Sequence, residues 1–386
     1  MSNNKTSDFN RRDFLKTGFL VTGSMVLCAA AGTAKAAAVS RMSDRVLSDP
    51  PVSEGQRILG SGKAALKVSE VGFGCMGLNY HRGEHPEKKE LIKLLHQAVD
   101  HGVTFFDTAE GYGPFTNEEL VGEALSPYKD KVIIATKFGH AYKDGKRDLS
   151  HEDSRPEHIR QVCDECLKRL KTDSIGLFYQ HRFDVNTPIE DVAGTVGELI
   201  KEGKVRHFGL CEIGADTLRK AHKEYPVTAV QSEYSLMWRR PENDLLPTLK
   251  ELGIGFVPYS PLCRGFLTGS ITEYTRFDPQ NDNRQTLPRF TPQAIRHNLR
   301  LVEKLNAFGR TRGSTPAQIA LGWLMARNDR IVPIPGTTKL SHLEENLRAP
   351  EFKLSLAEIE ELNQAAADIK IMGDRYDAVQ SALVGK

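Results

Sequence analysis

The sequence carries almost no excess charge of either sign: 52 Lys and Arg stand against 50 Asp and Glu, a formal net charge of +2. That balance gives no reason to expect nucleic acid, an anionic membrane surface or another polyanion as a partner. Cysteine is scarce, with six in 386 residues. Cys28 falls in the N-terminal leader. Cys75, Cys163, Cys166, Cys211 and Cys263 remain, an odd set without framework spacing, which excludes a fold built on disulfides. Cys163-x-x-Cys166 reads as a redox pair or half a metal site only until its surroundings are considered. No second pair or nearby histidines complete a site, and i and i+3 within the helical stretch 156–171 simply share a face. No metal is expected. Long apolar runs are lacking too; the best candidate, residues 19–34, is short and weakly apolar for a membrane span.

That run does have a context. Asn10-Arg11-Arg12-Asp13-Phe14-Leu15-Lys16 precedes it, and Ala34-Lys35-Ala36 offers a cleavage site before Ala37. Paired arginines followed by Phe-Leu-Lys resemble a bacterial twin-arginine export signal. A chance arginine pair or a retained anchor would be the alternatives. The expected organisation is a cleaved signal peptide over residues 1–36, a linker over 37–54 and one folded unit over 55–386. The implied location is periplasmic or exported, with the twin-arginine machinery as a partner and no stable membrane span after cleavage. That machinery carries folded proteins, which suits a chain that must trap a cofactor before leaving the cytoplasm.

From residue 71 two textures alternate. Short β-branched or aromatic runs occur at 71–74, 104–107, 132–137, 175–180, 205–210, 228–232, 255–258 and 331–334, each followed by a stretch of helical period. Val192, Val196, Leu199 and Ile200 share one helical face, as do Ile319, Ala320, Trp323 and Leu324. Eight strands alternating with helices predict a closed parallel α/β barrel of the (β/α)8 TIM type. Two segments flanking Gly60-Ser61-Gly62-Lys63 read as a hairpin plugging the N-terminal end, and a final helix is expected over residues 355–369. A long polar insertion, 264–290, follows strand seven on the side where barrel loops build sites.

One motif misleads. Gly72-Phe73-Gly74-Cys75-Met76-Gly77 matches G-x-G-x-x-G, but loop residues follow where a helix should open, and the next acid, Asp107, lies too far on for a dinucleotide fingerprint. Close passage of strand and loop beside a ligand explains the glycines better.

The chemistry gathers elsewhere. Strand C-termini of a parallel barrel converge on one mouth. Asp107 ends strand two, Lys137 ends strand three, His181 follows strand four, and Tyr112 lies in the loop after strand two. Singly they read as an N-cap, a rim charge, a loop histidine and a turn aromatic; together they form an acid. A tyrosine is a poor donor at its ordinary pKa near ~10. An adjacent ammonium favours the phenolate and is expected to lower that pKa, while a carboxylate holds the ammonium. A histidine beside them can orient a carbonyl oxygen.

These four residues resemble the catalytic tetrad of the aldo-keto reductases. GFGCMGLN, TFFDTAEGYG, VIIATKFG, YQHR, YSPLCRG and IPGTTKLSHLEENL each resemble that family's segments, in the family's order, over about residues 57–369. The resemblance implies a nicotinamide cofactor held without a Rossmann fold, NADP before NAD. It implies that Tyr259 stacks on the nicotinamide and Gln231 binds its carboxamide. Ser260, Leu262, Arg264 and Gly265 line the pyrophosphate by the same resemblance. Gly336, Thr337, Thr338, Lys339 and His342 form the phosphate segment, and Glu345 and Asn346 the adenine pair. Two positions depart from the family: Cys211 stands where serine often helps hold the carboxamide, and His342 where many members carry arginine near the 2′-phosphate. Loops after strands one, two, four and seven would build the pocket for a small carbonyl substrate, with Tyr80, His81, Phe115, Phe138, Met237 and Trp238 around it.

The implied activity is reduction of an aldehyde or ketone by hydride transfer, with Tyr112 as general acid, or the reverse oxidation. Two other readings use the same residues. One is a nicotinamide-binding sensor or auxiliary subunit with little turnover. The other is a barrel hydrolase or aldolase with Lys137 as Schiff-base nucleophile, which would leave the strand-eight segment without a purpose.

Overall fold

A computed structural model describes residues 55–381 and 384–385; the leader and linker expected over 1–54 lie outside the described residues. The chain opens with β1 (Gln56–Leu59) paired antiparallel to β2 (Leu66–Ser69), the expected hairpin. Its apolar side chains Leu59, Leu66 and Val68 join Phe105, Ala135, Leu177, Tyr179, Ala229 and Val257 in one buried cluster inside the sheet. The hairpin therefore fills the barrel floor. A Cβ on Gly255 would come within 2.8 Å of the Leu59 Cα, so that contact requires glycine.

Seven parallel strands follow in chain order: β3 (Phe73–Gly74), β4 (Phe105–Asp107), β5 (Ile133–Phe138), then, beyond an added hairpin, β8 (Leu177–Gln180), β9 (Phe208–Cys211), β10 (Ala229–Glu233) and β11 (Gly255–Tyr259). The eighth segment closes the barrel without forming a regular strand. The Val332 and Ile334 amides donate to Phe256 and Pro258 carbonyls at 2.9 and 3.2 Å. On its other side, Pro333 and Pro335 accept from Gly72 and Gly74 amides at 2.9 and 3.3 Å. Proline has no N–H to return, so only half the ladder toward β3 can form. The resulting architecture is the (β/α)8 barrel that the alternation predicts.

Strand periodicity sets what faces the interior. Phe105 points in, Phe106 packs out against helices, and Asp107 points in again. In β5, Ile133 and Ala135 belong to the interior while Ile134 and Phe138 pack outward, which leaves Lys137 facing in beside Asp107. The helical stretch 156–171 is α-helical over Pro156–Leu170, and both Cys163 and Cys166 are buried free thiols on its core face.

Two features were not legible as elements. β6 (His140–Lys143) and β7 (Lys146–Glu152) form an antiparallel hairpin directly after β5. The other lies beyond the last long helix (Leu356–Ile369), which the sequence does predict and which a Ser355/Glu358 capping box starts. There the chain turns back over the barrel. Asn298 exchanges two hydrogen bonds of 2.9 Å with the Met372 backbone, fixing the strap that carries Arg375 and Tyr376 to the mouth.

Candidate active site

Asp107, Tyr112, Lys137 and His181 converge at the C-terminal mouth of the barrel. The Lys137 side chain is wholly buried and its Nζ donates to Asp107 Oδ1 at 2.5 Å, Thr108 O at 2.7 Å and the Tyr112 hydroxyl at 3.3 Å. Asp107 Oδ2 accepts from Gln231 Nε2 at 2.7 Å, so both carboxylate oxygens are held. Tyr112 sits in the turn after β4, its ring edge-on to His181 with centroids 5.8 Å apart and stacked on Tyr80 at 6.0 Å. His181 follows β8 and its backbone N–H donates to Phe138 O at 2.8 Å. Its Nδ1 is buried without a partner, which leaves Nε2 as the nitrogen open to the mouth.

Burial would lower the Lys137 pKa, but the Asp107 carboxylate and Tyr112 overcome it and raise it above the ordinary lysine value. Lys137 is therefore an ammonium. The expected lowering of Tyr112 is not found: burial outweighs the nearby ammonium and pushes its hydroxyl up to about 12. Tyr112 as a whole is half-buried, and desolvation of a phenolate is the largest influence on its hydroxyl. Tyr112 thus holds its proton throughout the neutral range. Burial also keeps His181 neutral, its pKa well below the usual histidine value, with His140 and Arg182 acting in the same direction. The Cys211 thiol, buried at the end of β9, is raised to about 12 and stays protonated.

The remaining expected residues fall into two groups. Tyr80, His81, Phe115 and Trp238 are half-buried in loops at the mouth. Phe138 and Met237 are not available to a substrate. Phe138 points outward and packs on Phe178 at 4.6 Å between sheet and helices, because strand alternation assigns the inward place to Lys137. Met237, 3% exposed, belongs to the same outer core.

After β11, Ser260, Cys263, Arg264 and Gly265 all take positive φ, a strained run of the kind found where backbone is shaped for a ligand. Leu262 is partly buried against the core. The Arg264 side chain is already committed: it makes a two-pronged ion pair with the wholly buried Glu233, at 3.1 and 2.9 Å. Tyr259 donates to or accepts from the Tyr376 hydroxyl at 2.7 Å. After strand eight, Gly336, Lys339 and His342 are exposed and Thr337, Thr338 and Glu345 half-buried, while Asn346 is buried. Lys339 caps the helix Leu340–Leu347, and its backbone N–H donates to Thr337 Oγ1 at 3.1 Å. Gly336 passes Gly74 so closely that a Cβ would meet the Gly74 carbonyl oxygen at 2.5 Å.

Several residues at the mouth escaped the sequence reading. Arg375 forms a bidentate pair with Glu212, both contacts 2.7 Å, and holds that carboxyl below its usual range against the opposing effect of burial. Arg289 and Arg375 also approach Glu233, at 3.6 and 3.8 Å. No local pattern announces pairs this far apart in sequence. The β6–β7 hairpin had a signal: Asp144-Gly145, both at positive φ, between short strands.

An ammonium locked by a carboxylate beneath a tyrosine, with a neutral histidine beside it at the mouth of a parallel barrel, is an arrangement able to hold and deliver a proton. Comparison with known proteins agrees: residues 70–367 match the model of the aldo/keto reductase family, and the chain belongs to it. It is 42% identical over 317 residues to probable aldo-keto reductase 1 of Glycine max, covering 82% of this chain and 90% of that one. Among solved structures it is similar to a glycerol dehydrogenase from Gluconobacter oxydans, with TM-score 0.72, 26% identity and coverage of 82% and 95%. A thermostable aldo-keto reductase in complex with the inhibitor epalrestat gives TM-score 0.63 and 27% identity, covering 81% of this chain and 99% of that one.

Buried neutral histidines carry a pH signature. His140, beside His181, has its pKa lowered to about 4 by burial, against the pull of Glu152. The unfolded chain protonates near ~6.5, so between those values it takes up a proton that the native state refuses. The contribution is complete above about pH 6.5 and is lost as pH falls toward 4. Unfolding free energies from urea titrations should therefore decline between pH 6.5 and 4.5 more steeply in the native protein than in His140→Phe. Equal slopes would show that folded His140 protonates freely.

Proposed function

We propose that this protein reduces an aldehyde or ketone with NADPH, with Tyr112 as the proton donor, after export through the twin-arginine machinery. The observation that carries the reading is the Tyr112 hydroxyl held 3.3 Å from the buried Lys137 ammonium that Asp107 locks in place. A bound nicotinamide supplies the hydride. Tyr112 gives its proton to the carbonyl oxygen, and Lys137 stabilises the phenolate left behind. Asp107, held on its second oxygen by Gln231, keeps the ammonium pointed at the phenol. His181 Nε2 orients the carbonyl oxygen.

The residues available at the mouth fit a nicotinamide dinucleotide. Tyr259 offers a ring to the nicotinamide, and Cys211 and Gln231 lie at adjacent strand ends for its carboxamide. Arg264 serves through its backbone, since Glu233 holds its guanidinium. Exposed Lys339, with Thr337 and Thr338 beside it at a helix start, offers the donors that a 2′-phosphate needs. Small hydroxylated carbonyl compounds are the first substrates to assay, before diketones and quinones, a choice supported by the similarity to a glycerol dehydrogenase.

Tyr112→Phe should fold and bind NADPH as the native protein does, yet reduce carbonyl substrates at least about a hundredfold more slowly, as loss of a general acid implies. Comparable kcat on a good substrate would rule out the donor role.

Lys339→Ala should weaken NADPH binding about ten- to a hundredfold, the usual cost of a charge-assisted contact, and leave NADH nearly unchanged. Equal weakening of both, measured by fluorescence titration, would remove Lys339 from 2′-phosphate recognition.

Export makes a separate expectation. With Arg11 and Arg12 both changed to lysine, full-length active enzyme should stay in the cytoplasm. The native chain should appear outside the inner membrane, shortened by about 36 residues and still holding NADP(H). Fractionation, intact mass and cofactor release on denaturation test this; native protein that stays cytoplasmic and uncleaved refutes it.

A further inference from the structure

His181 enters the site without a hydrogen bond to fix its ring. Its buried Nδ1 has no partner, and the final torsion of a histidine is intrinsically broad. What the ring does have is a face. His140 lies against it with centroids 4.3 Å apart and planes 35° from parallel, while Tyr112 meets it edge-on from another side.

His140 itself is firmly held. Its Nδ1 donates to Glu152 Oε2 at 2.6 Å, and the other Glu152 oxygen accepts from Arg147 Nη2 at 2.8 Å. The side chains of His140 and Glu152 are only 4% and 9% exposed. They are cross-strand partners at the base of the β6–β7 hairpin, where the Asp153 amide donates to Gly139 O at 2.9 Å. A carboxylate accepts only, so the His140 proton sits on Nδ1 and the ring cannot turn without abandoning a buried charge. On the far side, the turn carrying Tyr112 closes in: a Cβ on Gly111 would stand 2.9 Å from His140 Cδ2. The hairpin thus contributes a rigid flat wall between the proton donor's turn and the histidine.

We propose that His140, oriented by Glu152 and Arg147, is a positioning residue for His181, fixing the plane of its imidazole and hence the direction in which Nε2 meets the carbonyl oxygen. This rests on the reductase reading of the same site. Small angular errors in a group that orients a reacting carbonyl are costly to rate even where binding is intact.

Two variants separate the ring face from the hydrogen bond. His140→Asn keeps a donor for Glu152 and removes the face; His140→Phe keeps the face and removes the donor. The first readout is ligand-free: the ring C–H signal of His181 by NMR, assigned with His181→Gln. It should be narrow in the native protein and in His140→Phe, and broadened by exchange in His140→Asn. The second is steady-state kinetics with 4-deuterated NADPH. His140→Asn should lose about ten- to a hundredfold in kcat with a larger isotope effect, while KM and the NADPH Kd move less than about threefold. His140→Phe should keep kcat within about threefold. If His140→Asn does not fold, His140→Gln, which likewise keeps a donor and removes the ring face, should show the same broadening. A narrow His181 signal in folded His140→Asn or His140→Gln overturns the proposal, as does equal loss of kcat in the Asn and Phe variants. Failure of the native protein to reduce any carbonyl compound would overturn the reductase reading instead, and would leave the NMR comparison to decide the positioning role.

Discussion

Everything at the mouth of this barrel depends on one buried ion pair, Lys137 with Asp107. An ammonium removed from water is tolerable only if its hydrogens are taken up, and here a carboxylate, a backbone carbonyl and a phenol take all of them. Removing either partner from a pair of this kind costs about 3–5 kcal/mol, because the other charge is left stranded. The pair exists because two neighbouring strands each place an inward residue near the C-terminal end, Asp107 on β4 and, two residues beyond its register partner Ala135, Lys137 on β5. Gln231, from the opposite part of the sheet, then fixes the remaining carboxylate oxygen. The barrel's geometry and the site's electrostatics are one constraint.

The ammonium's effect on Tyr112 is a matter of timing. In the ground state burial prevails and the phenol keeps its proton, as the proposed donor role requires at neutral pH. In that proposed role the nearby positive charge acts as the proton departs and charge develops on the oxygen.

A second set of charges governs the rim. Arg264, Arg289 and Arg375 gather about Glu233, and Arg375 also clasps Glu212. The guanidinium groups of Arg264 and Arg375 lie over the Tyr376 ring at 5.4 and 4.9 Å. These contacts join the ends of β9 and β10, the loop after β11 and the C-terminal strap. Each bidentate pair fixes a direction as well as a distance, so segments remote in sequence share one frame. Cys211, at the end of β9, is followed directly by the glutamate that anchors this frame.

The sequence by itself determined the strand–helix alternation, the hairpin at the barrel floor and the four residues that meet at its mouth. Alternation of apolar runs and turn signals is local, and a parallel barrel converts strand ends into neighbours without further information. Asp107, Tyr112, Lys137 and His181 were therefore legible from position alone. The inward or outward sense of Phe138 was legible too, had its place next to Lys137 been counted; Met237 was not, because a loop has no period. Only the tertiary structure decided the sign of the Tyr112 shift, since burial of a hydroxyl depends on every chain that covers it. It alone brought Arg375 to Glu212 across 163 positions, and stacked His140 on His181 from a hairpin whose turn was visible but whose docking was not. Period and turn chemistry are written residue by residue, whereas ion pairing and desolvation belong to the folded whole.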